Sequence, residues 1–156
     1  MTAERIEVQR TIASDPSAIF KVLCDPHGHV AIDSSGMLQD ATGQPASKAG
    51  DSFVIHMDRE ALNDFPMGKY DVEVIMTKFV PDREIEWKIE GQIKPPIGHL
   101  YGYTLEPVDD GTLVTSYYDW SQISDDWRAA GILPVISEGA LRATLGILDR
   151  TVRSRN

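Results

Sequence analysis

The chain of 156 residues contains one cysteine, Cys24. That excludes an internal disulfide framework and a cysteine-rich zinc site. Long apolar runs are also missing, and none approaches the roughly 18 residues that a membrane-spanning helix needs. The N-terminal stretch MTAERIEVQRTIAS lacks an apolar signal-peptide core. The expectation is therefore a cytoplasmic protein with no stable membrane insertion. Cations are scarce: 15 Lys and Arg stand against 24 Asp and Glu, a net charge of −9. Nucleic acid is disfavoured as a partner, because phosphate backbones are held by a basic footprint. No phosphate loop, no GxGxxG and no GxSxG nucleophile elbow occurs, so nothing in the motifs asks for a nucleotide, a cofactor or a serine-hydrolase reading. There is no internal repeat, low-complexity tract or domain-dividing linker. What is present is an ordinary globular composition, 42% hydrophobic and 25% charged. At this length it suffices for one core in a single domain spanning 1–156.

Residues 5–13 alternate, with Ile6, Val8 and Ile12 on one face, the pattern of a half-buried strand. Asp15-Pro16 and Asp25-Pro26 each place a capping side chain before a proline, the start signal of a helix. Two short helices are expected, the first carrying Ile19, Phe20, Val22 and Leu23 and the second covering about 26–32. Ser34-Ser35-Gly36 reads as the turn after it, and 41–50 as a polar loop. Alternation then returns in about six antiparallel strands. The apolar faces hold Phe53, Ile55 and Met57; Tyr70, Val72, Val74 and Met76; Ile85, Trp87 and Ile89; His99, Tyr101, Tyr103 and Leu105; and Val114, Ser116, Tyr118 and Trp120. Asp109-Asp110-Gly111 marks a hairpin turn. From about 124 the period becomes helical, with Ser124 or Asp125 as cap and Pro134 expected to kink or restart the helix. Leu141, Leu145, Leu148 and Val152 form one stripe, and the terminal arginines complement the helix dipole. Each strand has one apolar face that must be covered, and only the C-terminal helix is large enough to do it.

The stretches IEVQRTIASDPSAIFKVLCDP, HVAIDSSG, YGYTLEPVDDGTLVT and YDW, followed by the terminal helix, resemble in order and spacing the START-like, or helix-grip (SRPBCC), superfamily. Within it they look most like the bacterial polyketide cyclase/dehydrase and lipid-transport group. The resemblance spans about 5–153. It implies an α+β fold in which a curved seven-stranded antiparallel sheet wraps a long C-terminal helix around a deep apolar cavity. It also implies ligands such as lipids, sterols or polyketides, while some relatives are aromatase/cyclases and others resemble cochaperone domains. Fold alone does not choose among these.

The inward faces hold more polar-tipped aromatics than a dry core would use, since buried Tyr and Trp need partners for their O–H and N–H. They suit a pocket with an apolar body and a few directed hydrogen bonds. The candidate ligand-binding residues are Phe53, Met57, Tyr70, Val72, Val74, Trp87, His99, Tyr101, Tyr103, Tyr118, Trp120, Leu141 and Leu145. Phe65 and Met67, in the apolar connection 60–68, are candidate cavity-mouth residues. His99 is the candidate acid/base should the protein be a polyketide cyclase or dehydratase. The inward strand faces offer no Asp or Glu to pair with it. His56 and Asp58 should face solvent. No metal is expected: His27 and His29 are two residues apart on a helix and cannot converge, and His29 can pair instead with Asp33, one turn on. Cys24 reads as a buried small hydrophobe. The leading expectation is a binding protein for a small hydrophobic or aromatic ligand, monomeric or homodimeric. A cyclase-type enzyme and an interaction module are the alternatives.

Overall fold

Both Asp-Pro signals act as caps in the computed structural model, which describes residues 3–64 and 66–155. The Asp15 carboxylate accepts from the Ala18 amide to start α1 (Pro16–Cys24), and Asp25 accepts from the His27 amide to start α2 (Pro26–Ile32). They follow β1 (Arg5–Ile12). The chain then forms β2 (Leu38–Thr42), β3 (Ser52–Asp58), β4 (Lys69–Val80), β5 (Glu84–Glu90), β6 (Leu100–Val108) and β7 (Gly111–Asp119). Ser124 caps α3 (Asp125–Ala130), and α4 (Glu138–Arg155) ends the chain. The strands make one antiparallel seven-stranded sheet in the order β1-β7-β6-β5-β4-β3-β2. No described helix is long and apolar enough to cross a membrane.

The expected leucine stripe of α4 is buried: Leu141, Leu145, Leu148 and Val152. It lies along β1 and β7 and against α1 and α2, where the Arg10 guanidinium holds the Asp149 carboxylate at 2.8 Å. At the end of the sheet where α1 sits, the interior is filled by side chains such as Ile12, Ile19, Leu23, Leu105 and Val114, and Phe20 meets Phe79 edge-on at 5.2 Å.

Two expectations are corrected, and at Pro134 one of the two expected outcomes is selected. Ala41 and Thr42 belong to β2, not to a loop. This edge strand is only five residues long and is bulged between Leu38 and Asp40, too short to show alternation. At Pro134 the helix restarts rather than kinks, so the C-terminal region holds two separate helices. Gly131 ends α3 in the left-handed conformation (φ 71°), and α4 begins only at Glu138. The inward set of β4 does not stop at Met76. A bulge between Met76 and Lys78 shifts the parity so that Phe79 also turns inward.

The outer face of the sheet is not uniformly wet. Tyr117 is 1% exposed, its hydroxyl donates to Glu84 and Glu86, and the Arg5 guanidinium lies 4.0 Å from its ring centre. It covers Gly102, where a Cβ would come within 2.3 Å of the tyrosine ring. Buried Glu86 is satisfied by Tyr117 and by the Thr77 hydroxyl.

Candidate functional site

At the opposite end of the sheet the interior is hollow. A cavity of about 610 Å³ lies between the concave face, the start of α4 and the α2–β2 connection. Its body is built by Met57 of β3, Tyr70, Val72 and Val74 of β4, Trp87 and Ile89 of β5, Tyr101 and Tyr103 of β6, and Leu141 of α4. Its mouth is edged by Leu62 and Met67 after β3, Ile93 and Pro96 before β6, and Ile132 and Val135 before α4. Leu62, Ile93, Ile132 and Val135 are 38–44% exposed, large apolar side chains gathered at one opening. A wetter, more open depression of about 790 Å³ runs over the neighbouring edge of the sheet, past Gln39, His56, Asp58, Lys69 and Asp71.

The polar groups of the cavity are mostly spoken for by the protein. At the mouth Arg59 grips Asp64 through two nitrogens at 2.8 and 2.9 Å, reaches Met37 Sδ and bonds the Tyr70 hydroxyl. Asp33 accepts from the amides of Ser35, Gly36 and Leu38 and from the Ser35 hydroxyl. Tyr103 bonds Ser116, and burial pushes its phenol up to about 12. Trp87 stacks on Tyr101 with centroids 6.2 Å apart and planes 9° apart. Burial likewise raises Tyr101 and Tyr118 above the ordinary tyrosine range.

Two histidines complete the wall. His99, immediately before β6, is 7% exposed, and its Nδ1 lies 2.5 Å from the Tyr118 hydroxyl. His29, on the inner side of α2, is also 7% exposed. Its Nε2 lies 2.7 Å from the Leu23 carbonyl oxygen, which can only accept, so Nε2 carries the proton. The ring sits between Phe53 and Trp87, with centroids at 5.1 and 4.7 Å. Burial pushes both imidazoles down to about 4, which leaves them neutral at neutral pH. Neutral imidazoles can donate or accept hydrogen bonds to an uncharged guest and can polarise a carbonyl.

No protein-family model and no curated protein matches the chain. Solved structures do. Protein CV1439 from Chromobacterium violaceum superposes with a TM-score of 0.69 at 15% identity, over 96% of both chains. The Aha1 dimer from Colwellia psychrerythraea gives 0.62 at 19% identity, over 97% of this chain and 96% of that one. DynU16, a protein of the dynemicin biosynthetic locus, gives 0.63 at 14% identity, over 99% of this chain and 49% of its own. The chain has the helix-grip fold.

Within this helix-grip frame the structure gathers Met57, Tyr70, Val72, Val74, Trp87, His99, Tyr101, Tyr103 and Leu141 on the cavity wall, and Met67 at the mouth. Phe65 lies outside the described residues. Phe53, Tyr118, Trp120 and Leu145 point inward but stand behind the wall. Phe53 backs His29, Tyr118 backs His99, Trp120 packs on Tyr118 at 5.5 Å, and Leu145 is one turn further into the filled end. Alternation identifies the face of a strand but not the depth at which the face meets a void. The expected His29–Asp33 pair does not form, because each has a nearer backbone partner. His29 is the wall residue that the sequence pattern hid. Its one available signal was its place beside Ile32 on the buried side of α2.

His27 approaches Asp40 at 3.6 Å, and among the described residues no group of three or more His, Cys, Asp or Glu is placed to hold a metal ion. His56 lies between Thr42 (Nε2 to Oγ1, 2.7 Å) and Asp71 (Nδ1 to Oδ1, 2.8 Å). That is the order of a hydrolytic relay, but the three residues lie on adjacent strands whose paired ladders engage the surrounding backbone. The arrangement is a cross-strand ladder on the solvent side.

Proposed function

We propose that this protein binds a small hydrophobic or aromatic molecule, such as a lipid or a polyketide, in the helix-grip cavity, acting in the cytoplasm as a monomer or homodimer. The observation that carries this reading is a void of about 610 Å³ with an aromatic and aliphatic wall and a few inward polar groups. Small-molecule sites span about 300–1,000 Å³ and share that composition. Desolvation of the guest against Val72, Val74, Trp87 and Leu141 would drive binding at about 25 cal/mol per Å² of apolar surface. The apolar rim of Leu62, Ile93, Ile132 and Val135 offers such a guest a continuous path from the surface.

Native mass spectrometry of freshly purified protein, followed by melting-temperature screening with a panel of lipids and aromatic polyketides, tests the reading. The expected result is a co-purifying adduct or a stabilising guest, lost in Val72→Trp. That variant fills the void and should keep wild-type stability within about 1 kcal/mol, because its bulk enters empty space. Failure of every guest in both assays would sink the proposal. Catalysis on a polyketide-like substrate in the same cavity draws support from His99 on the wall and from the likeness to a protein of a biosynthetic locus. It fails if His99→Ala leaves turnover unchanged.

A further inference from the structure

His29 and His99 each spend one ring nitrogen on the protein, and among the described residues neither second nitrogen has a hydrogen-bond partner. Neither is sealed in the protein. Among those residues the only buried side-chain polar atom without a partner is Nε1 of Trp127. Both rings are more than nine-tenths buried and both line the cavity, so the second nitrogens open into it.

Their characters toward a guest differ. His29 holds its proton on Nε2 against the Leu23 carbonyl, leaving Nδ1 as a bare acceptor. At His99 the Tyr118 hydroxyl fixes the arrangement. The Val135 backbone N–H already points at the Tyr118 oxygen. With no other acceptor among the described residues, the hydroxyl proton is assigned to Nδ1 of His99. Nε2 of His99 then carries the ring's only proton and is a donor. Both imidazoles are the same tautomer, yet one presents an acceptor and the other a donor, because the protein occupies opposite edges of the two rings.

We infer that the cavity selects an uncharged guest bearing both a donor, such as a hydroxyl, bonded to His29 Nδ1, and an acceptor oxygen, such as a carbonyl, bonded to His99 Nε2–H. This rests on the ligand-binding reading above. Charged guests are disfavoured by the same geometry. Among the described residues lining the cavity the one guanidinium, Arg59, is committed to Asp64. A carboxylate or phosphate carried to the wall would meet no uncommitted cation among the described lining residues, and a buried unpaired charge is costly. The Tyr101 hydroxyl can donate or accept, so it would add affinity without choosing.

Calorimetric titration of the full chain with matched naphthalenes separates these claims. 2-Ethylnaphthalene has neither group, 2-naphthol mainly the donor, 2-acetonaphthone the acceptor, and 6-hydroxy-2-acetonaphthone both, while 6-hydroxy-2-naphthoate adds a charge. One net hydrogen bond should tighten binding roughly three- to tenfold. The advantage of 2-naphthol over 2-ethylnaphthalene should vanish in His29→Phe and survive in His99→Phe. That of 2-acetonaphthone should do the reverse. The naphthoate should bind at least tenfold more weakly than 2-naphthol. Equal binding of all neutral probes, or advantages untouched by either variant, overturns the inference and leaves the cavity reading standing. Binding by none of the probes, 2-ethylnaphthalene included, removes the cavity reading and the inference with it. Nitrogen-15 spectra of the wild-type histidines give a check that needs no variant. Both rings should show a proton on Nε2, and a proton on Nδ1 of His99 would overturn the assignment.

Discussion

Mild acid should destabilise this protein well before its carboxylates titrate. His29 and His99 are held neutral by burial, with a pKa near 4 against 6.5 for an exposed imidazole. The unfolded chain therefore binds more protons than the folded one between those values. Stability is fully present above about pH 6.5 and is lost as the pH falls toward 4. With a shift of about 2.5 pH units, each ring costs the fold about 2 kcal/mol between pH 8 and pH 5. Two rings make about 4 kcal/mol, a large share of the 5–15 kcal/mol that typical domains possess. The carboxylates whose pKa is lowered by their partners, among them Asp119 and Asp149, surrender their contribution only below about pH 4, so the window from 8 to 5 isolates the imidazoles. Urea unfolding at pH 8, 6.5 and 5 measures the slope. The His29→Gln, His99→Gln double variant should flatten it even if its absolute stability is lower. A wild-type unfolding free energy that is constant from pH 8 to pH 5 would refute the burial argument for both residues.

Two other perturbations test the division of the interior and the outer face. Leu145→Ala, in the filled end, should cost about 3 kcal/mol, whereas Leu141→Ala, beside an existing void, should cost about 1–2 kcal/mol. Equal losses in chemical denaturation would contradict the distinction between a packed and a hollow end. Gly102→Ala places a Cβ 2.3–2.8 Å from the Tyr117 ring, which is anchored by Glu84, Glu86 and Arg5. A loss of about 2–3 kcal/mol is expected on denaturation, and a variant as stable as wild type would show that Tyr117 moves freely.

Much of this was legible in the order of residues. Asp15-Pro16, Asp25-Pro26 and Ser124 marked the helix starts because capping is local chemistry. Ile85, Trp87 and Ile89 alternated cleanly enough to fix the inward face of β5. Long-range facts were not legible. The burial of Glu86 depends on Tyr117, thirty-one residues away. The parity change at Phe79 depends on a bulge defined by the partner strand. His29 looked like half of an i,i+4 pair, because nothing local says that the Leu23 carbonyl takes its proton. Of the thirteen interior candidates, four stand behind the wall, because depth is a coordinate that a period-two pattern does not contain.

The hollow follows from the proportions of the parts. Strands lie about 4.8 Å apart, so seven span about 29 Å across the sheet. A single helix with its side chains is about 10 Å wide and covers roughly a third of that. α4 lies along β1 and β7, tied there by Arg10 and Asp149, so the inward faces of β3 to β6 extend beyond its cover. α1 and the large side chains Phe20, Phe79 and Leu105 close one end of the remainder. At the other end only short α2 and the connections around Met67, Ile93 and Val135 reach across, and they meet at an opening rather than interdigitating. A sheet this wide, gripping one helix, must therefore either fill the gap with more side chains or leave it for another molecule. Here the residues at the gap are Tyr101, Trp87, His29 and His99, groups whose hydrogen-bonding edges would be a cost in a dry core and are of use to a guest.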